Sequence, residues 1–303
     1  MNPIQNFRQL TSYLKSLNHR KRVAVVCPHD PHTEYAVKRA LEEGFAEFLL
    51  VADKRYVHRA EVIRDEYPSF VKVYEADNMD VAARKAVELI RSGEADVLMK
   101  RIINTDNLLK AVLDKEKGLL PKGRVLTHIT LAQIPAYPKF IFFSDSAVIP
   151  RPTYEQFGAM ILYAVSVCHH CGLEEPRVAL IHCSEKVNEK FPHTLDYVKL
   201  KADAVDGVFG QMQLDGPMDV KTACDLHSGD IKGLSSPVVG NADVLIFPNI
   251  ESGNTFYKAV SLFARADMAG ILQGTVCPVV VTSRSDSSIS KYYSLALACI
   301  TEK

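Results

Sequence analysis

Arg22-Val23-Ala24-Val25-Val26-Cys27 is a short β-branched run that reads as a strand, and Phe48-Leu49-Leu50-Val51-Ala52-Asp53 reads as the next strand. Between them, Thr33 to Gly44 has helical spacing and stops at a glycine. Strand, helix, strand at this distance is a βαβ unit, and it requires a parallel strand pair. The alternation continues outward. A helix is expected near Arg55 to Glu66, a strand over Val71-Lys72-Val73-Tyr74, a helix from about Asp80 to Arg91, and a strand over Ala95 to Lys100. Before the unit, Ile4 to Leu17 has the apolar spacing of a packing helix.

Leu126-Thr127-His128-Ile129 and Phe140 to Asp145 read as further strands. Pro150-Arg151-Pro152 reads as a hinge, followed by a long helix from about Thr153 to Cys171. Arg177 to His182 restarts the alternation. A helix is expected over Thr194 to Ala202, a strand at Gly207-Val208-Phe209, and a polar turn over Gln213 to Asp219. Val244-Leu245-Ile246-Phe247 is a fully apolar strand, Leu262 to Met268 reads as helical, and Val279 to Thr282 as the last strand. Ser288 to Cys299 closes the chain as a helix. The fold class is α/β, with mostly parallel sheets.

The 303 residues suffice for two domains, and the hydrophobic fraction of 47% is that of a globular protein. Lys+Arg and Asp+Glu are 36 each, which argues against a basic nucleic-acid binder. The N-terminus lacks a signal-peptide pattern and no apolar run reaches membrane-spanning length, so a cytoplasmic protein is expected. Seven scattered cysteines do not form a disulfide framework. Cys168-His169-His170-Cys171 lies within one helical turn and cannot converge on one tetrahedral ion, so no metal is expected. There is no GxGxxG after the first strand, no Walker loop and no Gly-x-Ser-x-Gly elbow. Cys27, at a strand end beside Pro28 and His29, reads either as a nucleophile or as a structural thiol.

Two stretches concentrate small polar residues and cations at strand ends, where open α/β sheets bind ligands. Asn249-Ile250-Glu251-Ser252-Gly253-Asn254-Thr255-Phe256-Tyr257-Lys258 reads as a strand end opening into a Gly-Asn turn and a helix containing Lys258. Thr282-Ser283-Arg284-Ser285-Asp286-Ser287 supplies hydroxyls, one arginine and one carboxylate. Such donors suit a phosphorylated substrate. Lys100, with Thr105 or Asn104 at the next helix start, reads as an anion site or as a solvated basic loop before an ordinary cap. Asp145 either faces a cleft or caps a surface turn. The inventory fits acyl or phosphoryl chemistry on substrates held in place.

These residues resemble the phosphate acetyltransferase and butyryltransferase family. Asp243 to Lys258 and Pro278 to Ser287 look like its signature, and the butyryl branch is the nearer. That branch shows a Thr-Ser-Arg-x-Asp-Ser run followed by a lysine, here Lys291, and Ser294-Leu295-Ala296-Leu297-Ala298. Asp215-Gly216-Pro217, Lys232 to Asp243 and Leu98-Met99-Lys100 also match, so the resemblance runs from about residue 20 to the end.

The resemblance implies that acyl-CoA and phosphate exchange to give acyl phosphate and CoA. It implies a two-domain fold like isocitrate and isopropylmalate dehydrogenases, with an interdomain cleft. Residues 1–149 with about 285–303 would form the first domain, and 150–284 the second, dimerising one. A homodimer or higher homo-oligomer is implied, with no cofactor beyond CoA as substrate. Ser283, Arg284 and Asp286 take catalytic roles, and Lys100, Thr105, Gly253, Asn254, Lys258 and Lys291 bind substrate. Three departures stand out. The acetyl branch's aspartate would fall at position 290, which is Ser290 here, leaving Asp286 as base or helix cap. Arg101 stands where many relatives have glycine, and Thr275 where alanine is common. A diverged binding protein for CoA or acyl phosphate is the alternative reading. A dehydrogenase of the same fold is a third, against which the missing metal-carboxylate cluster counts.

Overall fold

The computed structural model describes residues 2–27, 30–100, 105–281 and 286–301, with backbone alone at 105 and 106. The chain begins with α1 (Phe7–Ser16), β1 (Lys21–Val26), α2 (Pro31–Glu43), β2 (Ala46–Asp53), α3 (Val57–Glu66), β3 (Val71–Ala76), α4 (Met79–Arg91), β4 (Val97–Lys100) and α5 (Thr105–Val112). Then come β5 (Thr127–Gln133), β6 (Ile141–Ser144), α6 (Tyr154–His170), β7 (Arg177–Ile181), α7 (His193–Val205) and β8 (Gln213–Met218). It ends with α8 (Val220–Cys224), α9 (Leu226–Ile231), β9 (Val244–Ile246), α10 (Ile250–Leu262), β10 (Asp267–Gln273), β11 (Val279–Val280) and α11 (Ser288–Thr301).

Two compact units result. An N-terminal unit comprises Phe7–Leu126 with Met268–Lys303, and a central unit comprises Met1–Asn6 with Thr127–Asp267. In the N-terminal unit the strand order is β3-β2-β1-β4-β11-β10, parallel except for β10 against β11. In the central unit it is β5-β6-β9-β7-β8, parallel except for β5 against β6. Parallel strands are covered on both faces, which explains their continuous apolar runs. Val23 to Val26, Val97 to Met99 and Val244 to Ile246 are all fully buried.

Local chemistry sets the helix ends. Asp30 caps α2 by accepting from the His32 and Thr33 amides, and Gly44 ends it in the left-handed region. Asn78 caps α4, and Thr153 with Gln156 forms a capping box on α6. Helix α11 is buried nearly all round, as its Leu295, Ala296, Leu297, Ala298 and Cys299 dictate. It packs on α2, where Tyr292 donates to Glu43 and lies under the Arg39 guanidinium at 4.1 Å. Each large side chain buried there contributes about 1.5–3 kcal/mol.

Several sequence expectations are corrected. The expected junctions at 149/150 and about 284/285 differ from the observed ones at Leu126/Thr127 and Asp267/Met268. The reason is strand pairing: β5 pairs with β6 and β6 with β9, which ties residues 127–149 to the central unit. Gly207 to Phe209 is a turn, and the strand is β8, where a polar turn was expected. Among the described residues β8 pairs only with β7, so Pro217 costs no central ladder bond. Gly216, at φ +144, is needed there because a Cβ would lie 2.6 Å from the Leu180 carbonyl oxygen. Leu262 ends α10; of the run beyond it, expected as helix, residues 263–266 are turn and irregular chain, and Asp267 and Met268 open strand β10. Among the described residues, no helix is long and apolar enough to cross a membrane.

Candidate active site

In the central unit the polar residues gather where β6 and β9 end. Asp145 follows β6 and is 1% exposed. One carboxylate oxygen accepts from Thr127 Oγ1 at 2.7 Å and the His128 amide at 2.9 Å. The other accepts from the Ala147 and Val148 amides at 2.7 and 2.8 Å. Four donors saturate this carboxylate, so it organises the turn rather than accepting a proton from substrate. Of the two sequence readings, neither a cleft-facing nor a surface group describes it; it is an internal anchor.

Around it runs a buried chain of hydroxyls and one imidazole. Ser146 Oγ lies 3.0 Å from His128 Nδ1, and Thr130 Oγ1 lies 3.2 Å from the same nitrogen. Thr127 Oγ1 and Ser144 Oγ are 2.9 Å apart. Sequence reasoning missed Thr127, His128 and Ser146 as site residues. The signal available was a pair of strand ends rich in small polar groups; their pairing across 17 or 18 positions was not visible.

Helix α10 is laid over this turn. Asn249 caps it, accepting from the Ser252 amide at 2.9 Å. Gly253 and Asn254 therefore lie inside the helix, correcting the expected Gly-Asn turn. The glycine has a different cause: a Cβ at 253 would stand 2.1 Å from the Asp145 carbonyl oxygen. Asn254 Nδ2 donates to the Ser146 carbonyl at 3.0 Å. Phe256 packs edge-on to Phe143 at 5.1 Å and against Phe247 at 5.2 Å, pinning α10 to β6 and β9. Lys258, one turn beyond Asn254, is exposed with its ammonium 4.8 Å from the Tyr257 ring.

In the N-terminal unit, charge collects at the ends of β1, β4 and β11. The register aligns Val26 with Lys100 and Met99 with Val280, so these three ends are neighbours. Lys100 is 4% exposed, which corrects the reading of a solvated basic loop. Lys291 on α11 is also buried, its ammonium 3.8 Å from Asp30, the cap of α2. His32 Nδ1 lies 2.7 Å from Ser288 Oγ, a second tie between α2 and α11. Cys27 is buried at φ +55.

Asp286 is half-buried. The cap of α11 is Ser287, whose hydroxyl accepts from the Ser290 amide at 3.2 Å, so the reading of Asp286 as that cap is corrected. Ser290 pairs with the Ser287 hydroxyl at 3.1 Å. Thr275 donates to the Cys277 carbonyl at 2.6 Å within a turn. Ser283, Arg284 and Arg101 lie outside the described residues, as do Asn104, Pro28, His29 and the side chain of Thr105.

Elsewhere, Cys168 and Cys171 are buried, and desolvation pushes both thiols up, Cys171 to about 12. Among the described residues no three His, Cys, Asp or Glu side chains converge as metal ligands. A cavity of about 820 Å³ lies between α4 and α5, lined by Arg84, Val87, Asn107, Lys110 and Asp114 among others. Its charges are of mixed sign, and it is not at the strand ends.

The architecture is that of phosphotransacylases. The crystal structure of a branched-chain phosphotransacylase from Enterococcus faecalis superposes with a TM-score of 0.80 at 30% identity, covering 93% of this chain and 98% of that one. Residues 71–299 match the family described as "Phosphate acetyl/butaryl transferase". The chain is 35% identical to a phosphate butyryltransferase from Clostridium beijerinckii, over 98% of this chain and 97% of the relative. It is 36% identical to a phosphate acetyltransferase from Thermotoga maritima, over 92% and 95% of the two. The chain belongs to the phosphate acetyl/butyryl transferase family.

Proposed function

We propose that the protein exchanges phosphate and CoA on a short-chain acyl group, acyl-CoA plus phosphate giving acyl phosphate plus CoA. The observation that carries this reading is a likeness to phosphate acyltransferases along nearly the whole of both chains. The buried Lys100, at the end of a strand paired with β1 and β11, suits a site for anionic substrates.

In the acyl phosphate to acyl-CoA direction, the CoA thiol gives up its proton and its sulfur attacks the acyl carbonyl. The carbon–sulfur bond forms, the carbon–oxygen bond to phosphorus breaks, and phosphate leaves with the electron pair. A free thiol titrates near ~8.5, so a modest base suffices. Asp286 is assigned that role, as the carboxylate nearest in sequence to Ser283 and Arg284. Arg284 holds the phosphate bidentately and neutralises the charge that develops. Ser283 orients the thiol or the carbonyl oxygen. Lys100, Thr105, Gly253, Asn254, Lys258 and Lys291 shape the substrate sites. For Gly253 and Lys291 the observed contacts support a positioning part, through Asp145 and Asp30.

The reaction needs no metal or redox cofactor. We place the protein in the cytoplasm as a homodimer or higher homo-oligomer, with no nucleic-acid or membrane partner. Phe263 and Leu262, 82% and 70% exposed at the end of α10, support self-association.

The deciding experiment is thiol release from acetyl-, propionyl-, butyryl- and isobutyryl-CoA on addition of phosphate. Release with at least one is expected, and none with any would sink the reading. Arg284→Ala is expected to lower turnover by roughly 100-fold or more with the fold intact. Tight CoA binding without release would favour the diverged binding protein.

A further inference from the structure

Where β7 ends, outside everything assigned above, three side chains form a line. Cys183 Sγ lies 3.6 Å from His182 Nε2, and His182 Nδ1 lies 3.1 Å from His193 Nε2. Cys183 is the exposed member of the seven cysteines; five are buried and Cys224 is half-buried. His182 is 5% exposed, its amide donates to the Met218 carbonyl, and its ring meets Phe191 edge-on at 4.8 Å. His193 opens α7, and its ring packs on Tyr197 at 5.4 Å.

A nucleophile within reach of a base, with the base oriented by a third group, is the arrangement that activates thiols. We propose that Cys183 is a thiol–disulfide exchange site, deprotonated by His182 and oriented through His193, that takes up a low-molecular-weight disulfide.

The proton inventory sets the resting state, two neutral rings, and the 3.6 Å contact between Sγ and Nε2 carries the proton transfer. Burial lowers both imidazoles, Glu185 opposing it at His182; at His193 the neighbouring His182 adds to the lowering and Asp196 opposes it. The helix start at His193 also disfavours a cation. Two neutral rings share one hydrogen bond. When His182 Nδ1–H donates to His193 Nε2, His182 Nε2 is a bare acceptor facing the thiol. The proton passes from Sγ to that nitrogen, and the thiolate attacks one sulfur of the disulfide. A new S–S bond forms, the old one breaks, and the leaving sulfur takes the proton from His182. The cysteine sulfur is oxidised and the leaving sulfur is reduced.

Exchange fits better than enclosed chemistry. Among the described residues His182 is the one hydrogen-bond partner of Cys183, and in-line exchange needs access and a thiolate rather than a pocket. The other cysteines are buried or, like Cys224, held against Tyr137, so the mixed disulfide persists until an outside thiol releases it.

The test treats the full chain with glutathione disulfide at neutral pH, follows the adduct by intact mass, and maps it by peptide. A single adduct on Cys183 is expected, forming roughly tenfold faster than the same disulfide reacts with N-acetylcysteine. His182→Gln, with an unchanged circular dichroism spectrum, is expected to slow it about tenfold, and His193→Gln by less. An adduct on another cysteine, a rate equal to that of N-acetylcysteine, or no slowing in folded His182→Gln overturns the proposal. If that variant does not fold, the comparison with N-acetylcysteine decides. The readout is a mass shift on a thiol, so it is independent of acyl transfer.

Discussion

The strand ends of the central unit form a closed network of hydrogen bonds, whereas those of the N-terminal unit hold buried cations. In the first, the Asp145 carboxylate is matched by four donors, and the first turn of α10 rests on the same turn. In the second, Lys100 and Lys291 are both buried, and Asp30 serves as helix cap and as counter-charge to Lys291. Saturated networks rigidify a backbone, whereas charged groups at strand ends are suited to an anionic ligand. The difference implies that substitutions in one edge act mainly on stability and in the other mainly on turnover.

The largest effect is expected at Lys100. Lys100→Met keeps most of the side-chain volume and removes the charge. Phosphate-dependent thiol release should fall by about 100-fold in kcat/KM, with the urea midpoint nearly unchanged. A variant that unfolds while its residual folded fraction turns over normally would break the comparison.

Asp145→Ala should do the reverse in kind. It leaves the His128, Ala147 and Val148 amides and the Thr127 hydroxyl without their acceptor, which costs about 3 kcal/mol of stability. Equilibrium urea unfolding measures it. Full stability together with lost turnover would move Asp145 from the scaffold into the chemistry. Gly253→Ala tests the same edge from α10. The added Cβ meets backbone at 2.1 Å, so the helix must shift, at about 1–3 kcal/mol.

How much of this was legible depended on whether a signal was local. The continuous apolar runs at Val23–Val26, Val97–Met99 and Val244–Ile246 announced buried parallel strands, because such strands are apolar on both faces. β8 was missed because an outer strand tolerates Gln213, Asp215 and Pro217, which look like a turn. The Gly253-Asn254 pair suggested a turn, but a glycine can equally mark the close passage of another backbone, and only the fold shows which. At the site, Lys100 was visible from its place at a strand end. The partners of Asp145 were not, since Thr127 and His128 lie 17 or 18 residues away on an antiparallel neighbour.

The smallest effect tests whether charge matters anywhere in the central unit. Lys201 on α7 bonds Asp215 of β8 at 2.5 Å, with side chains 43% and 26% exposed. Burial pushes the Asp215 carboxyl up, but bonds from Lys201, Ser236 and the Gly216 amide outweigh it and hold the group below its ordinary range. A carboxyl depressed in the folded state adds stability above its unfolded value, near ~4, and that stability is lost as pH falls through the folded value. Lys201→Met should therefore cost about 0.5 kcal/mol at neutral pH, discounted for the exposed lysine. The gap between variant and wild type should close as pH falls through the depressed folded value of Asp215. Urea unfolding at pH values from neutral to acid measures it. A gap that stays constant with pH would show that Lys201 acts through the packing of its methylenes, leaving the central unit's edge without a charge contribution at this position.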